Sequence, residues 1–287
     1  MVQRDADIAR LQADAGALCR DIGERTVASG GLARAERCLV GKLEETGGAV
    51  RRHAYPARGT EVANLAVDFG PPGGEPLVVA AHYDTVPGTE GADDNGSAVC
   101  VLLGLARRLA LRGPATPVRL VLFTLEEAPA FATPEQGSRR YLQDMTASAE
   151  RTRGAIVLEM VGYTSQQQLY PAPLRWAGYP DRGDFVGIVG NRRSRHLLAD
   201  IARGFRRNRA LPVETLTVPF DGRILPAVRL SDHASFWDAG LPAVMVTDTA
   251  FFRNPHYHRP SDRIETLDFD FMARLVDSLE IAIRAMP

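Results

Sequence analysis

Three solid runs of small and branched apolar residues in this chain each stop at ionisable side chains. Leu77-Val78-Val79-Ala80-Ala81 runs into His82, Val118 to Leu125, apolar but for Arg119 and Thr124, runs into the pair Glu126-Glu127, and Ala155-Ile156-Val157-Leu158 runs into Glu159. Runs this short and this apolar, the first preceded by the break Pro71-Pro72-Gly73-Gly74, read as strands buried on both faces, so the chain needs a sheet covered by helices on either side. Strands that end on a carboxylate or an imidazole set these groups along one rim of the sheet. Uncompensated burial there costs several kcal/mol unless a cation neutralises it. The pattern points to a metal-dependent hydrolase.

The remaining periodicities fill in the architecture. Ile8, Leu11, Ala15, Leu18 and Ile22 recur at helical spacing, and a second helix is expected over about 32–46. Strands are expected at 49–57, 61–69, 76–82, 117–125, 153–160, 185–190 and 242–247, and further helices at about 95–111, 137–148, 193–208, 232–239 and 267–285. Their alternation implies an α/β fold with a central mixed, mostly parallel sheet flanked by helices on both faces. Residues 1–70 are expected as N-terminal helices and strands packed on a catalytic domain of residues 71–287, the whole forming one compact unit. Tyr163–Asp184 and Ala210–Arg229 read as long surface loops.

Composition narrows the function. With 34 basic and 35 acidic residues the net charge is near zero, so neither nucleic acid nor an anionic membrane is an expected partner. An Arg-rich stretch (Arg192, Arg193, Arg195, Arg203, Arg206, Arg207, Arg209) interleaves a single aromatic of the Phe/Tyr/Trp type, Phe205, and reads as a solvated helix face. Cys19, Cys38 and Cys100 lack the paired spacing of a zinc ribbon or a disulfide framework, so reduced thiols are expected. The acidic N-terminus does not resemble a secretory signal and no run of about 18 apolar residues occurs, so a cytoplasmic protein is expected if the chain is full length. The oligomeric state is left open.

The chemistry sits in a few short segments. Residues two apart on a strand point the same way, so Asp84 can orient His82 by accepting its second ring proton. In Gly91-Ala92-Asp93-Asp94-Asn95-Gly96-Ser97, an acidic residue either caps the following helix or holds a carboxylate between two metals. Adjacent carboxylates such as Glu126-Glu127 repel each other and form strands poorly, so stability alone would not select them. One can bind an ion while its neighbour accepts a proton from a water of lowered pKa. His256, Tyr257 and His258 lie in a Pro-bounded loop.

Taken together, Ala81-His82-Tyr83-Asp84, the Gly91–Ser97 segment, Glu126-Glu127, Gly137-Ser138, Leu158-Glu159-Met160, Ser231-Asp232-His233 and Asn254-Pro255-His256-Tyr257-His258-Arg259-Pro260-Ser261-Asp262 resemble, in order, the M28 family of zinc aminopeptidases. The resemblance implies two zinc ions, with manganese or cobalt as alternatives. Asp94 would bridge them, His82 and Glu159 would complete one site, and Glu127 and His258 the other. Glu126 would be the general base, and Tyr257 a donor to the developing oxyanion. Asp84 and Asp232 would support the ligands or anchor loops, although a helix cap also accounts for Asp232. The family often has Asp where Glu159 stands. The implied substrate is a peptide or small amide; a single-zinc glutaminyl cyclase, an amide deacylase and a non-catalytic binding module are the alternatives. One departure is the nine-residue insertion Ala128 to Gln136, whose Phe131 is expected as a wall of the substrate pocket. Failing that, specificity would fall to the segments at 163–184 and 210–229.

Overall fold

The chain is described from a computed structural model covering residues 2–286. One sheet contains β1 (Arg51–Ala57), β2 (Thr60–Phe69), β3 (Leu77–His82), β4 (Val118–Phe123), β5 (Gly154–Glu159), β6 (Val186–Asn191), β7 (Val213–Val218) and β8 (Ala243–Thr247). Their order is β1-β2-β4-β3-β5-β8-β6-β7. The four central strands β4, β3, β5 and β8 are parallel, which accounts for their largely apolar sequences, interrupted in β4 by Arg119, which is paired with Asp68 and Glu150. β2 is antiparallel to both β1 and β4, and on the other side β6 is antiparallel to β8 and carries β7 in parallel.

Helices cover both faces. The larger core packs α1 (Val2–Ala15), its π-helical continuation Gly16–Ile22, α2 (Gly31–Glu44), α3 (Ala98–Leu111), α5 (Arg195–Phe205) and α7 (Phe269–Ala285) over one face. The second core packs α4 (Gly137–Ala147) and α6 (His233–Asp238) against the other. The chain leaves β3 for β4 through α3, then returns through α4, on the opposite face, to β5 on the far side of β3. That reversal opens a crevice at the carboxyl ends of β3 and β5, the place where open α/β sheets bind ligands. The three cysteines are free thiols. Among the described residues no helix is long and apolar enough to cross a membrane.

Two expectations need correction. The strands of residues 1–70, expected to pack on a catalytic domain beginning at residue 71, instead extend its sheet directly as β1 and β2. Residues 213–218, expected within a loop, form the edge strand β7. Pro212 and Pro219 bracket this strand and partial exposure leaves it free of a solid apolar run, so its sequence carries the β-branched residues of a strand without the buried pattern.

The N-terminal segment also reaches the crevice. Arg25 is fully buried, and its guanidinium donates to the carbonyls of Tyr83 (2.7 Å), Glu90 (2.6 Å), Gly91 (2.9 Å) and Gly23 (3.2 Å). It therefore ties the chain leaving β3 to the turn that introduces Asp94. Gly91 in that turn has φ +54, and a Cβ there would lie 2.4 Å from the Asp94 carbonyl oxygen. Arg25→Met would remove the guanidinium donors from these carbonyls, of which Gly91 O keeps Gly96 N, and should lower stability by about 3 kcal/mol, seen as a reduced urea midpoint at unchanged slope.

Candidate metal centre

The crevice gathers the last residues of β3 and β5, the Glu pair after β4 and the loop before α7 around Asp94. One Asp94 oxygen, Oδ1, lies 3.5 Å from His82 Nε2, which is itself 3.6 Å from Glu159 Oε2 and 3.9 Å from Glu126 Oε2. The other, Oδ2, lies 3.1 Å from His258 Nε2, itself 3.4 Å from Glu127 Oε2. Each Asp94 oxygen thus faces a separate imidazole and carboxylate. His82, Asp94, Glu126, Glu127 and Glu159 are all buried, while the His258 side chain is 36 % exposed.

Backbone strain shapes this rim. Leu125 (φ 53), just before the Glu pair, Met160 (φ 46), just after Glu159, and His258 itself (φ 57) are left-handed. Each such non-glycine residue costs about 1 kcal/mol and persists only where surrounding structure fixes it.

A second layer fixes the donors. Asp84 accepts from the backbone N–H of both Glu126 and Glu127 at 3.0 Å, and its Oδ1 is 3.4 Å from His82 Nδ1. Asp262 accepts from Asp93 N (2.9 Å) and Asp94 N (3.1 Å), and Asn95 bridges Leu158 O and Met160 N on either side of Glu159. Ser231 donates to Glu159 Oε2 at 2.6 Å. Asp232 does not cap α6; its Oδ1 accepts from Gln136 Nε2 at 2.9 Å, tying the nine-residue insertion to α6.

Both ring nitrogens of His82 and Asp94 Oδ2 are buried without a hydrogen-bond partner. Donor atoms of His82, Asp94 and Glu127 all lie within 4.8 Å of one another, as in a metal-binding group. Imidazole nitrogens and carboxylate oxygens at this spacing fit a divalent transition metal. Without a cation, burial and then Asp94 raise Glu127 to about 7. Burial also pushes Glu126 well above the carboxylate range, although His82 opposes it. Burial would lower His258, but Asp94 and Glu127 hold it at about 10.

An apolar cleft of about 870 Å³, counting its open mouth, adjoins the cluster at Glu159 and Tyr257. Its walls come from the segment 168–179, the β6 and β7 strands, and the turn around Phe251. The Tyr257 ring stacks on His258 at 3.8 Å and 19°. Phe131 is not among the lining residues. Ala130 N and Phe131 N turn back to Glu127 O, and Tyr55 on β1 donates to Glu135 O, so the insertion folds against the opposite end of the sheet.

All five expected inner residues meet around Asp94, with Glu126 and Asp84 adjoining; His256 turns away, its Nδ1 2.9 Å from Ser261 Oγ. Arg25, Asn95, Asp262 and Ser231 carry roles that the sequence reading did not assign. Asn95, Asp262 and Ser231 at least stood inside the motifs.

The sequence pattern of peptidase family M28 matches residues 64–280. The chain belongs to this family. It is 36% identical over 246 residues to YfbL of Escherichia coli K12, described as uncharacterized, covering 82% of this chain and 74% of that protein. It is 29% identical over 219 residues to leucine aminopeptidase 1 of Trichophyton equinum, covering 70% of this chain but 52% of the relative, so it spans about half that protein's length. Among solved structures, LapA of Legionella superposes with TM-score 0.75 at 18% identity, over 98% of this chain and 74% of LapA. A glutaminyl cyclase of Fimbriiglobus ruber gives 0.73 at 20%, over 98% and 95%. Both likenesses speak for the fold.

The charges set a pH dependence. Glu127 and Asp232 (each about 7) and His258 (about 10) all lie above their ordinary values of 4.5, 3.8 and 6.5, so each favours the folded state below its ordinary value and loses that contribution as pH rises through the folded one. In chelator, the chain should lose stability as pH rises from about 5 to about 10. Added zinc should raise the melting temperature more at high pH than at low; a zinc effect independent of pH would contradict this assignment of charges.

Proposed function

We propose that this chain is a di-zinc aminopeptidase, hydrolysing the N-terminal peptide bond of a peptide. The observation that carries the reading is Asp94, whose two oxygens each face a different imidazole and carboxylate. His82, Asp94 and Glu159 would hold one ion, and Asp94, Glu127 and His258 the other. Bound there, the ions would supply Lewis acidity, lowering the pKa of a water and polarising the scissile carbonyl.

The rest is the work of side chains. Glu126, beside the donors and outside both sets, accepts the proton of the attacking water and returns it to the nitrogen of the leaving amine. Asp84 keeps Glu126 and Glu127 in place through their backbone N–H groups and stands 3.4 Å from His82 Nδ1, on the side of the ring turned away from Asp94. Tyr257 offers its hydroxyl to the oxyanion. The carboxylates attract a protonated α-amine. Among the described residues no Lys or Arg lines the cleft to receive a substrate carboxylate, which supports aminopeptidase over carboxypeptidase action. The cleft takes the side chain of the N-terminal residue.

A single-zinc cyclase would leave one imidazole and carboxylate set without a role. A deacylase would use the same donors and is separated from a peptidase by a panel of aminoacyl and acyl amides. Glu126→Gln should keep about two bound metals by elemental analysis while lowering kcat at least about a hundredfold. Glu127→Gln should instead lose affinity for one ion. In the last loop, His258→Ala should deplete metal and His256→Ala should not; equal depletion by both would overturn the assignment of His258.

A further inference from the structure

We propose that Glu214 makes the apolar cleft select N-terminal residues whose long side chain ends in a cation, lysine or arginine. This rests on the aminopeptidase reading of the adjoining cluster. The placement comes from strand register. Glu159 on β5 pairs with Thr247 on β8, Thr247 with Gly187 on β6, and Gly187 with Glu214 on β7. Residues paired in register share a face, so these four form one row across the sheet, and all four line the cleft. Three strand spacings separate the ends of the row, about 14 Å. An extended lysine or arginine side chain reaches about 6 to 7 Å from its Cα, and a glutamate about 3 to 4 Å from the opposite end, so together they bridge most of this distance.

The chemistry of the cleft agrees with this length. Val189, Leu216 and Met245 beside the row, with Phe185, provide an apolar bed for a methylene stem. Gly187 keeps the middle of the row open. A Cβ there would meet its neighbours at 3.6 to 3.8 Å, ordinary contact, so packing does not demand a glycine. Near the far end, Tyr170 and Tyr179 stack at 5.7 Å, with their hydroxyls committed to Pro180 O (2.6 Å) and Thr215 O (3.0 Å). Their rings remain as surfaces that attract a cation. The carboxylates lining the cleft are Glu159 and Glu214, and Glu159 is engaged by Ser231 and the cluster. Among the described residues the partly buried Glu214 side chain has no hydrogen-bond or salt-bridge partner, so its charge is available to a ligand. Arg253, the cation behind this wall, lies over the Phe185 ring at 4.7 Å and donates to Gln168 Oε1, so it neither lines the cleft nor neutralises Glu214.

The test uses matched pairs of anilides on the full, zinc-loaded chain: lysyl against norleucyl, with equal stems, and arginyl against citrullyl. The wild-type chain should prefer the charged member by about tenfold in kcat/KM, the scale of one charge-assisted hydrogen bond. Glu214→Gln should bring both ratios close to one and leave the norleucyl rate within about twofold, and Glu214→Lys should invert the ratios. A wild-type ratio at or below one, or a ratio unchanged by Glu214→Gln, overturns the proposal while leaving an aminopeptidase in place. If no aminoacyl anilide is hydrolysed, the aminopeptidase reading falls. Calorimetric binding of lysinamide against norleucinamide, to wild type and Glu214→Gln, then decides the selectivity of the cleft by itself: a preference for lysinamide lost in the variant supports it, and equal binding refutes it.

Discussion

A carboxylate with one oxygen turned to His82 and Glu159 and the other to His258 and Glu127 keeps that pose only if its backbone is gripped from several directions. At Asp94 the grip comes from Asp262, which accepts from two successive N–H groups, from the turn at Gly91, and through that turn from the buried guanidinium of Arg25. The flanking donors are held in the same way. Asp84 fixes the Glu pair through its peptide groups, and Asn95 clamps the chain on both sides of Glu159. Each hold runs through backbone atoms, so the positions of the charged tips follow from the path of the main chain and tolerate few changes in loop length.

The sheet topology supplies the path. Parallel strands β3, β4 and β5 deliver their carboxyl ends to one rim, and the reversal at β3 opens the rim into a crevice. The antiparallel turn at β6 gives the crevice its second compartment. Because β6 runs against β8, the beginnings of β6 and β7 arrive beside the ends of β5 and β8, which places the apolar cleft directly next to the acidic cluster.

The inner residues were legible in the sequence for a physical reason. A buried strand that ends in His82 or Glu159 contradicts the usual burial rules, and such contradictions are short, local and easy to see. The parallel centre of the sheet was legible on the same grounds. What escaped was whatever depends on distant contacts. Arg25 is one arginine among many until the fold wraps it in carbonyls. The edge strand β7 lacks a buried pattern, and Phe131 looked like a pocket wall only because its neighbours in sequence are metal-type donors. In three dimensions the insertion turns back over Glu127, and the pocket is made by segments far along the chain. The left-handed residues Leu125, Met160 and His258 have no signature at all, since none is the glycine that such backbone usually requires.

The spread of the donors along the chain has a consequence for assembly. His82 arrives with an early strand, Glu127 and Glu159 with later ones, and His258 only in the loop before the last helix. No fragment that stops short of either His82 or His258 can therefore bring both imidazoles to Asp94, and the chain must be made through His258 before the two halves of the cluster can meet. Under the proposed di-zinc reading, ion capture would be one of the last events of folding, closing a long loop that was entropically unfavourable until the sheet was complete. The amount of tightly held metal in a preparation would then be a count of finished molecules, and metal starvation during synthesis would leave the rim as a region of unrelieved repulsion in an otherwise complete fold.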